Sequence, residues 1–165
     1  MGKSKIYFDS EKCLGCHSCE FACAVAHSVS KDPHKAHLED ELPIRRRNVE
    51  LVEGACLTVG CRHCDPAPCV DACMAGAMQK NNETGVVSCN LDQCVACWMC
   101  VMVCPFDAVQ PGKVHALKCD MCDQREGGPA CVEACITGGL FEATPQQFVE
   151  TVQARKKTRN PEPEK

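Results

Sequence analysis

The sequence has few aromatic residues and no long apolar run. Five Phe, one Tyr and one Trp are the only aromatic residues among 165, so little aromatic surface is available for a core. No segment approaches the roughly 18 apolar residues of a membrane-spanning helix. The N-terminus, MGKSKIYFDS, lacks the apolar stretch and cleavage site of a secretory signal and does not fit the myristoylation pattern. We therefore expect a cytoplasmic protein without a membrane span.

Signatures of a substrate site are also missing. The chain contains no phosphate-binding glycine loop, no dinucleotide-binding fingerprint and no nucleophile–base pair. We therefore expect that the chain is not an enzyme by itself. Its formal net charge of −4 argues against nucleic acid as a partner and favours docking to proteins with basic rims.

Cysteine, in contrast, is abundant, with 18 residues. A short chain with so much cysteine and so little aromatic surface needs disulfides or metal to hold it together. Disulfides belong to oxidising compartments, and the sequence shows no signal for export to one. Metal binding is therefore the favoured interpretation, and a disulfide scaffold is the weaker alternative.

Sixteen of the cysteines form four related motifs. Each motif begins with C-x2-C and ends with x3-C, and only the gap before the third cysteine varies. Motifs 1 and 3 share the spacing C-x2-C-x2-C-x3-C, whereas that gap is four residues in motif 2 and eight in motif 4. The motifs are Cys13, Cys16, Cys19 and Cys23; Cys61, Cys64, Cys69 and Cys73; Cys94, Cys97, Cys100 and Cys104; and Cys119, Cys122, Cys131 and Cys135.

This spacing predicts iron–sulfur clusters. Three closely spaced cysteines can turn their sulfur atoms toward one face of a cubane. The fourth cysteine would lie at the start of a short helix and point away, and in bacterial ferredoxins it ligates the other cluster of a pair. All-cysteine zinc sites are usually built from two separated C-x2-C pairs, which fits less well. We therefore predict four [4Fe–4S] clusters, which make the chain an electron carrier.

The segments between the motifs predict an α+β fold of two fused bacterial-ferredoxin-like units with a C-terminal helix. Short strands alternate with motifs and helical turns, and residues 28–42 are expected to form a surface loop. The strands are expected within residues 4–9, 44–53, 86–88 and 113–117. Thr144 and Gln147 form a capping box for a helix from Pro145 to about Arg155, and a disordered tail is expected to follow.

Three structural parts follow from this reading. Motifs 1 and 4, the outer pair, would form one unit from residues 1–55 and 110–143. Motifs 2 and 3, the inner pair, would form the other from residues 56–109. Residues 144–165 would be the C-terminal helix and tail, with Phe148, Val149 and Val152 on one apolar face. That face would pack on the chain's own domain or dock another copy or a partner.

The motifs resemble those of the four-cluster [4Fe–4S] ferredoxin-like electron-transfer subunits. The matching segments are CLGCHSCEFAC, CRHCDPAPCVDAC, CVACWMCVMVCP and KCDMCDQREGGPACVEAC. This family includes the iron–sulfur subunits of dimethyl sulfoxide reductase and formate dehydrogenase. It also includes small soluble partners of carbon monoxide dehydrogenase, hydrogenase and tungsten aldehyde oxidoreductase, to which this short chain is more similar in length. The resemblance implies a relay of single electrons between a catalytic oxidoreductase subunit and another redox partner, in an anaerobic setting.

The resemblance also implies how the cysteines are shared. In that family the two motifs of each pair exchange their fourth cysteines. The implied ligand sets are Cys13, Cys16, Cys19 and Cys135; Cys119, Cys122, Cys131 and Cys23; Cys61, Cys64, Cys69 and Cys104; and Cys94, Cys97, Cys100 and Cys73. Only Cys104 is followed by the proline of the ferredoxin pattern, Pro105.

Several residues beside the ligands have more than one interpretation. Cys56 and Cys89 are expected to be buried apolar thiols, with a replacement ligand or redox-active thiol as the alternative. His17 and His63 lie inside motifs but are not needed as ligands. The basic run 45–47 is expected to be a solvated strand edge, or a site that docks an acidic partner. Trp98 and Met99 are expected to shield the cluster of motif 3 from water.

The sequence is also compatible with two alternative functions. One is a free, soluble polyferredoxin that diffuses between partners. The other is a self-polymerising subunit of an electron-conducting filament, in which copies of the chain bring their clusters together.

Overall fold

The computed structural model describes residues 3–159 and confirms the α+β fold with a C-terminal helix. The strands are β1 (Lys5–Phe8), β2 (Arg47–Val52), β3 (Ala55–Gly60), β4 (Met78–Lys80), β5 (Val87–Cys89), β6 (Val109–Pro111), β7 (Ala116–Lys118) and β8 (Leu140–Ala143). The helices are α1 (Ser18–Ala26), α2 (Pro68–Asp71), α3 (Met99–Met102), α4 (Ala130–Glu133) and α5 (Pro145–Arg159). A short 3₁₀ turn, Ala36–Leu38, lies within the predicted surface loop.

The strands form four antiparallel pairs that alternate with the cysteine motifs. The hairpin β2–β3 connects motif 1 to motif 2, β4–β5 connects motif 2 to motif 3, and β6–β7 connects motif 3 to motif 4. The pair β1–β8 joins the two ends of the chain, with Lys5 opposite Ala143 and Phe8 opposite Leu140. The two expected unit boundaries, at 55/56 and 109/110, fall within the hairpins β2–β3 and β6–β7. The division into two units therefore stays a prediction.

The hairpin turns follow from their residues. Glu53 and Gly54 connect β2 to β3 and have φ values of 50° and 81°. Positive φ at both central residues is the type I′ geometry that matches the twist of the flanking strands. Between β4 and β5, the side chain of Asn81 accepts hydrogen bonds from the backbone N–H groups of Glu83 and Thr84, at 2.8 and 3.0 Å. The Asn81 side chain thus stabilises the turn between these two strands.

A helix begins one residue before the third cysteine of each motif, whereas the sequence predicted that a short helix would begin at the fourth cysteine. Cys19, Cys69, Cys100 and Cys131 are each the second residue of their helix. The fourth cysteine does not start a helix, because it lies one helical turn later, within α1 or just beyond the end of α2, α3 or α4. Three intervening residues correspond to about one turn of 3.6 residues, so the helix fits between the third and fourth ligands.

The inner pair surrounds a small apolar core. Met78, Cys100, Val109 and Ala116 are buried there, and Trp98 packs against them. In the outer pair, α1 packs against α4. The apolar material of the fold is therefore concentrated around motifs 2 and 3.

The C-terminal helix packs on the chain's own strands. The ring of Phe148 stacks on Tyr7 with a centroid distance of 4.2 Å. Thr144 and Gln147 exchange the two hydrogen bonds of the predicted capping box, at 2.8 and 3.3 Å. The helix continues to Arg159, four residues beyond its expected end, and the rest of the expected tail lies outside the described residues. Within residues 3–159, no helix combines the length and apolar content needed to cross a membrane.

Candidate metal centres

The loop at the start of each motif contains left-handed backbone positions. They are Gly15 and His17 in motif 1, His63 in motif 2, Ala96 and Trp98 in motif 3, and Met121 and Cys122 in motif 4. Most of these residues are not glycine, and a positive φ is uncommon for such residues. Left-handed turns direct successive backbone N–H groups toward one point and create concavities that bind anions, including iron–sulfur clusters.

The first cysteine of each motif accepts a hydrogen bond from the N–H group two residues later. The donors are Gly15 to Cys13, His63 to Cys61, Ala96 to Cys94 and Met121 to Cys119. The N–Sγ distances for Cys13, Cys61 and Cys119 are 3.4, 3.4 and 3.5 Å. Such donors favour the thiolate over the thiol, and the thiolate is the form that ligates metal.

The fourth cysteine of each motif also accepts a backbone hydrogen bond. In motifs 2, 3 and 4 the donor lies four or five residues later; the pairs are Met78 to Cys73 at 3.3 Å, Ala108 to Cys104 at 3.4 Å and Leu140 to Cys135 at 3.3 Å. In motif 1 the donor to Cys23 is distant in sequence: it is Arg46, at 3.3 Å. The segment after motif 1 therefore replaces a local contact with a long-range one.

In the inner pair, each predicted ligand set lines one cavity. One cavity is lined by Cys94, Cys97, Cys100 and Cys73. A second cavity is lined by Cys61, Cys64, Cys69 and Cys104. Each cavity thus takes three cysteines from one motif and the fourth from the other motif. Trp98 and Met99 lie on the wall of the first cavity, where they were expected to shield the cluster.

In the outer pair, the electrostatic effects between thiols indicate that each fourth cysteine lies near the opposite motif. Burial raises the pKa of the Cys131 thiol, and the charge of Cys23 adds to this increase. Burial also raises the pKa of Cys19 to about 11, with further contributions from Cys131 and Cys135. Cys23 therefore lies beside motif 4, and Cys135 lies beside motif 1.

The spacing of the thiols is too wide for a mononuclear zinc site. Thiolates around one tetrahedral Zn²⁺, with Zn–S bonds of about 2.3 Å, lie about 3.8 Å from one another. Among the described residues, no three cysteine thiols lie within 4.8 Å of one another. All eighteen cysteines lie in this range, and none forms a disulfide. This spacing fits a larger cluster with several metal ions better than one zinc ion held by cysteines alone. Among the described residues, the compact group of metal-binding donors is His27, Asp120 and Cys122, which includes a single cysteine.

Of the two histidines inside motifs, His63 is buried and has an unsatisfied nitrogen. The side chain is 3% exposed, and its Nδ1 accepts a hydrogen bond from the N–H of Val87 at 3.0 Å. Its Nε2 is buried without a partner, although the residue lines the cavity of Cys61, Cys64, Cys69 and Cys104. Burial lowers the pKa of His63 to about 3, so the ring is neutral and Nε2 carries the proton. The residue can therefore donate a hydrogen bond to a cluster in that cavity. His17 is exposed and pairs with Glu20.

The basic run 45–47 is largely internal, which the sequence did not predict. Arg45 is exposed, and its Nε donates a hydrogen bond to Asn48. Arg46 is half-buried and forms an ion pair with Asp120, which also contacts His27 Nε2 at 3.1 Å. Arg47 is only 5% exposed. The expectation of a solvated strand edge is therefore wrong for two of the three arginines, because β2 packs beside α1 and motif 4.

The two additional cysteines are related by their contacts. Cys56 on β3 lies beside Cys13, the first cysteine of motif 1, and burial and this neighbour raise the pKa of the Cys56 thiol. Cys89 on β5 lies beside Cys94, the first cysteine of motif 3, and burial raises the pKa of Cys89 to about 12. Both thiols are partly exposed, so the expectation of full burial is wrong. Their contacts with first cysteines had no signal in the sequence beyond their position before a motif.

Known proteins match this arrangement. Residues 52–143 match the family described as the 4Fe-4S dicluster domain. The chain belongs to this family. An iron-sulfur protein of Rhodospirillum rubrum is 41% identical over 154 residues, which cover 82% of this chain and 79% of that protein.

Two further relatives carry electron-transport names. Electron transport protein HydN of Escherichia coli is 32% identical over 173 residues, with 93% of this chain and 95% of that protein covered. The thiosulfate reductase electron transfer subunit PhsB of Salmonella typhi is 34% identical over 138 residues, with 80% and 71% covered. Together with the family, these relatives confirm a ferredoxin-like iron–sulfur electron-transfer protein with [4Fe–4S] clusters, and the four motifs are consistent with four clusters.

Proposed function

We propose that this 4Fe-4S dicluster protein relays single electrons through four clusters that are held by shared cysteines. The proposal is supported mainly by the two inner cavities, each lined by three cysteines of one motif and the fourth cysteine of the other. Bound clusters would supply one-electron redox chemistry at these sites. The chain's own residues would fix the positions of the clusters, tune their potentials and provide the docking surfaces.

The contacts between thiols support a linear order of the four sites. The charge of Cys61, in motif 2, raises the pKa of Cys119, in motif 4, although burial has the largest effect. The sites of motifs 4 and 2 would therefore be the inner members of the series. Cys16 and Cys97 are the two exposed motif cysteines, and they belong to the sites of motifs 1 and 3. These sites would form the two ends where electrons enter and leave.

The partner at one end is a catalytic oxidoreductase subunit. Both ends have exposed apolar side chains beside the motifs: Val95 and Met102 are 69% and 81% exposed near Cys97, and Leu14 is 71% exposed near Cys16. Such residues suit docking to a larger subunit better than a freely diffusing carrier. We propose a molybdenum or tungsten enzyme, a carbon monoxide dehydrogenase or a hydrogenase as the partner. An anaerobic setting, a cytoplasmic location and the absence of nucleic acid partners stay predictions.

The alternative of a self-polymerising filament receives less support. Its main argument is an apolar face of α5 that is free to dock, but Phe148 of that face packs on Tyr7 in the same chain. Val149 remains half-exposed. A free polyferredoxin remains the second candidate, and recovery of a defined catalytic subunit with the native protein would distinguish the two.

The shared ligation can be tested by paired substitutions. If Cys104 ligates the site of Cys61, Cys64 and Cys69, then C104A and C61A remove the same cluster. Each single variant should lose about four of about sixteen iron atoms, and the double variant C61A/C104A should lose no more. The variant C94A/C104A should lose about eight, because it affects two different sites. Iron analysis and EPR of reduced protein, purified without oxygen, measure these losses.

The opposite pattern would overturn the shared ligation. If C94A/C104A loses only about four iron atoms and C61A/C104A loses about eight, each motif holds its own cluster. Wild-type protein with much less than about sixteen iron atoms after full reconstitution would overturn the four-cluster proposal itself. Cys89, which is outside the ligand sets, provides the matched control, and C89A should retain all the iron.

A further inference from the structure

Two fully buried cations lie inside the fold beside the cysteine motifs. Arg47 is 5% exposed and Lys118 is 2% exposed. Arg47 Nη1 donates a hydrogen bond to Thr58 Oγ1 at 2.7 Å, and the guanidinium lies against Gly60, where an added Cβ would be 2.9 Å from Cζ. Lys118 Nζ donates hydrogen bonds to the backbone carbonyls of Val87 and Cys119, the second at 2.8 Å. The fold thus holds both charges in fixed positions.

Neither cation has a carboxylate partner. The ion pairs of the described side chains, which end at residue 155, involve other lysines and arginines. A hydroxyl and two carbonyls supply dipoles, but they do not neutralise a charge. A buried charge is costly unless an opposite charge compensates it. The compensating anions must therefore lie elsewhere in the interior.

Among the described residues, motif cysteines are anion-forming groups that lie beside both cations. The backbone N–H of the preceding residue, Arg46, donates a hydrogen bond to Cys23 Sγ at 3.3 Å, which places this part of the chain at the outer sites. The Arg47 charge favours the thiolates of Cys131, Cys19 and Cys119, against the effect of burial. Lys118 acts in the same way on Cys69. It is also bound to Val87, which lines the cavity of Cys61, Cys64, Cys69 and Cys104. Arg47 thus lies between both outer sites, and Lys118 lies between the sites of motifs 2 and 4.

The remaining site has no such cation. The cavity of Cys94, Cys97, Cys100 and Cys73 is lined by cysteine, alanine, valine, methionine and tryptophan, without one charged side chain. Reduction adds negative charge to a cluster, so a nearby fixed cation stabilises the reduced form more than the oxidised form. Clusters that all have four cysteine ligands should therefore differ in reduction potential when the charges near them differ.

We propose that Arg47 and Lys118 are internal counter-ions of the clusters, which raise the reduction potentials of three sites and leave the Cys94, Cys97, Cys100 and Cys73 site as the lowest. This inference rests on the proposed ligand sets. An electron at the motif 3 end would then move toward the other three sites, because their reduction potentials are higher. The residues act through electrostatics and touch no external substrate.

The test is an EPR-monitored redox titration of the complete, cluster-loaded chain. R47Q should lower the potentials of the two outer sites, and K118M should lower that of the motif 2 site most. Each shift should correspond to at least about a tenfold change in the reduction equilibrium constant, which is ~59 mV for one electron. R47K retains the charge and should keep potentials near those of wild type. K35M and K113M remove exposed cations and should leave every potential unchanged.

Iron analysis separates failure of this inference from failure of the proposed function. Full iron content with unshifted potentials in R47Q and K118M overturns the inference but not the four clusters. An equal shift in R47K and R47Q also overturns it, because geometry rather than charge would then matter. If R47Q binds less iron, K118M decides: a lowered potential supports the inference, and an unchanged potential overturns it. Incomplete iron in the wild type would contradict the ligand sets instead.

Discussion

The outer and inner motif pairs share one backbone pattern but differ in the polarity of the residues packed around them. Both pairs have left-handed loop residues and backbone N–H groups directed at the first and fourth cysteines. The inner pair packs on apolar residues such as Met78 and Val109. The outer pair also buries apolar residues such as Leu140, but it adds polar contacts: Arg46 pairs with Asp120, and Glu20 accepts a hydrogen bond from the Val49 N–H.

This difference indicates that two parts of the sequence have different roles. The motifs fix the geometry of the ligands and are therefore similar to one another in backbone structure. The connecting segments determine the charge around them, and residues 28–60 after motif 1 bring Arg46 and Arg47 into the interior. A protein with four similar clusters can thus differentiate them by altering the hairpins and leaving the cysteines unchanged. Substitutions and iron removal can test this contrast between the polar contacts of the outer pair and the apolar packing of the inner pair.

Removal of iron should have the largest effect, and it should affect the outer pair more. Without clusters, Arg47 on β2 loses its compensating charge, and an unpaired buried charge costs about 3–5 kcal/mol. The free energy of local opening at β2–β3 should fall accordingly. Lys118 also loses compensation, and because its Nζ is bound to the Val87 carbonyl, β5 should lose a smaller part of its protection. Around β4–β5, Met78 and Val87 keep part of their apolar contacts. Hydrogen exchange of chelator-treated and loaded protein, analysed by mass spectrometry, measures the difference.

The opposite outcome would contradict the expected difference between the two pairs. Equal loss of protection in both pairs, or earlier loss in β4–β5 than in β2–β3, would show that the apolar core does not support the inner pair alone. R47Q supplies the control within the same assay. Because it removes one of the charges that lose compensation, its outer pair should lose less protection than that of the wild type when iron is removed.

Replacement of Asp120 should have an intermediate effect that is confined to the outer pair. Asp120 accepts hydrogen bonds from the half-buried side chains of Arg46 and His27, which hold the pKa of its carboxyl well below the usual range despite the opposing effect of burial. D120N keeps the shape but leaves Arg46 without its ion pair. We expect a loss of about 2 kcal/mol in the free energy of unfolding, or about 4–8 °C in the apparent melting temperature.

The neighbouring exposed carboxylate provides the comparison for D120N. Asp123 is exposed in the same motif 4 loop, so D123N should change the melting temperature by less than about 2 °C. Circular dichroism of the loaded proteins under anaerobic conditions follows both variants. A melting temperature unchanged in D120N would mean that the polar network does not stabilise the outer pair.

The repeating part of this molecule could be predicted from the sequence, and the differences between repeats could not. Cysteine spacing alone indicated four sites, and Thr144 with Gln147 indicated a helix start that the structure contains. These features depend on local chemistry within a few residues. The helix between the third and fourth cysteines was misplaced, since the spacing fits one helical turn but does not show where that turn begins.

The surroundings of the sites depend on contacts between distant residues. Arg47 looked like part of a surface run, yet β2 places it beside motif 4, more than 70 residues later. Lys118 directly precedes Cys119 and carried no sign of burial. The orphaned Nε2 of His63 likewise requires the three-dimensional cavity. Charge on a sequence indicates exposure by default, and only the presence of internal anions reverses that expectation.

The smallest expected effect concerns the two cysteines outside the ligand sets, and it bears on the same contrast. Cys56 and Cys89 each lie beside the first cysteine of a motif, in the outer and inner pair respectively. Removal of this polar thiol should lower the reduction potential of the adjacent cluster by less than ~59 mV, which corresponds to less than a tenfold change in the reduction equilibrium constant. The shift should be larger for C89A than for C56A, because the cavity of motif 3 has no cation to dominate its field. Redox titration with iron analysis measures both, C89S should restore part of the shift, and a loss of about four iron atoms in either variant would instead identify that cysteine as a ligand.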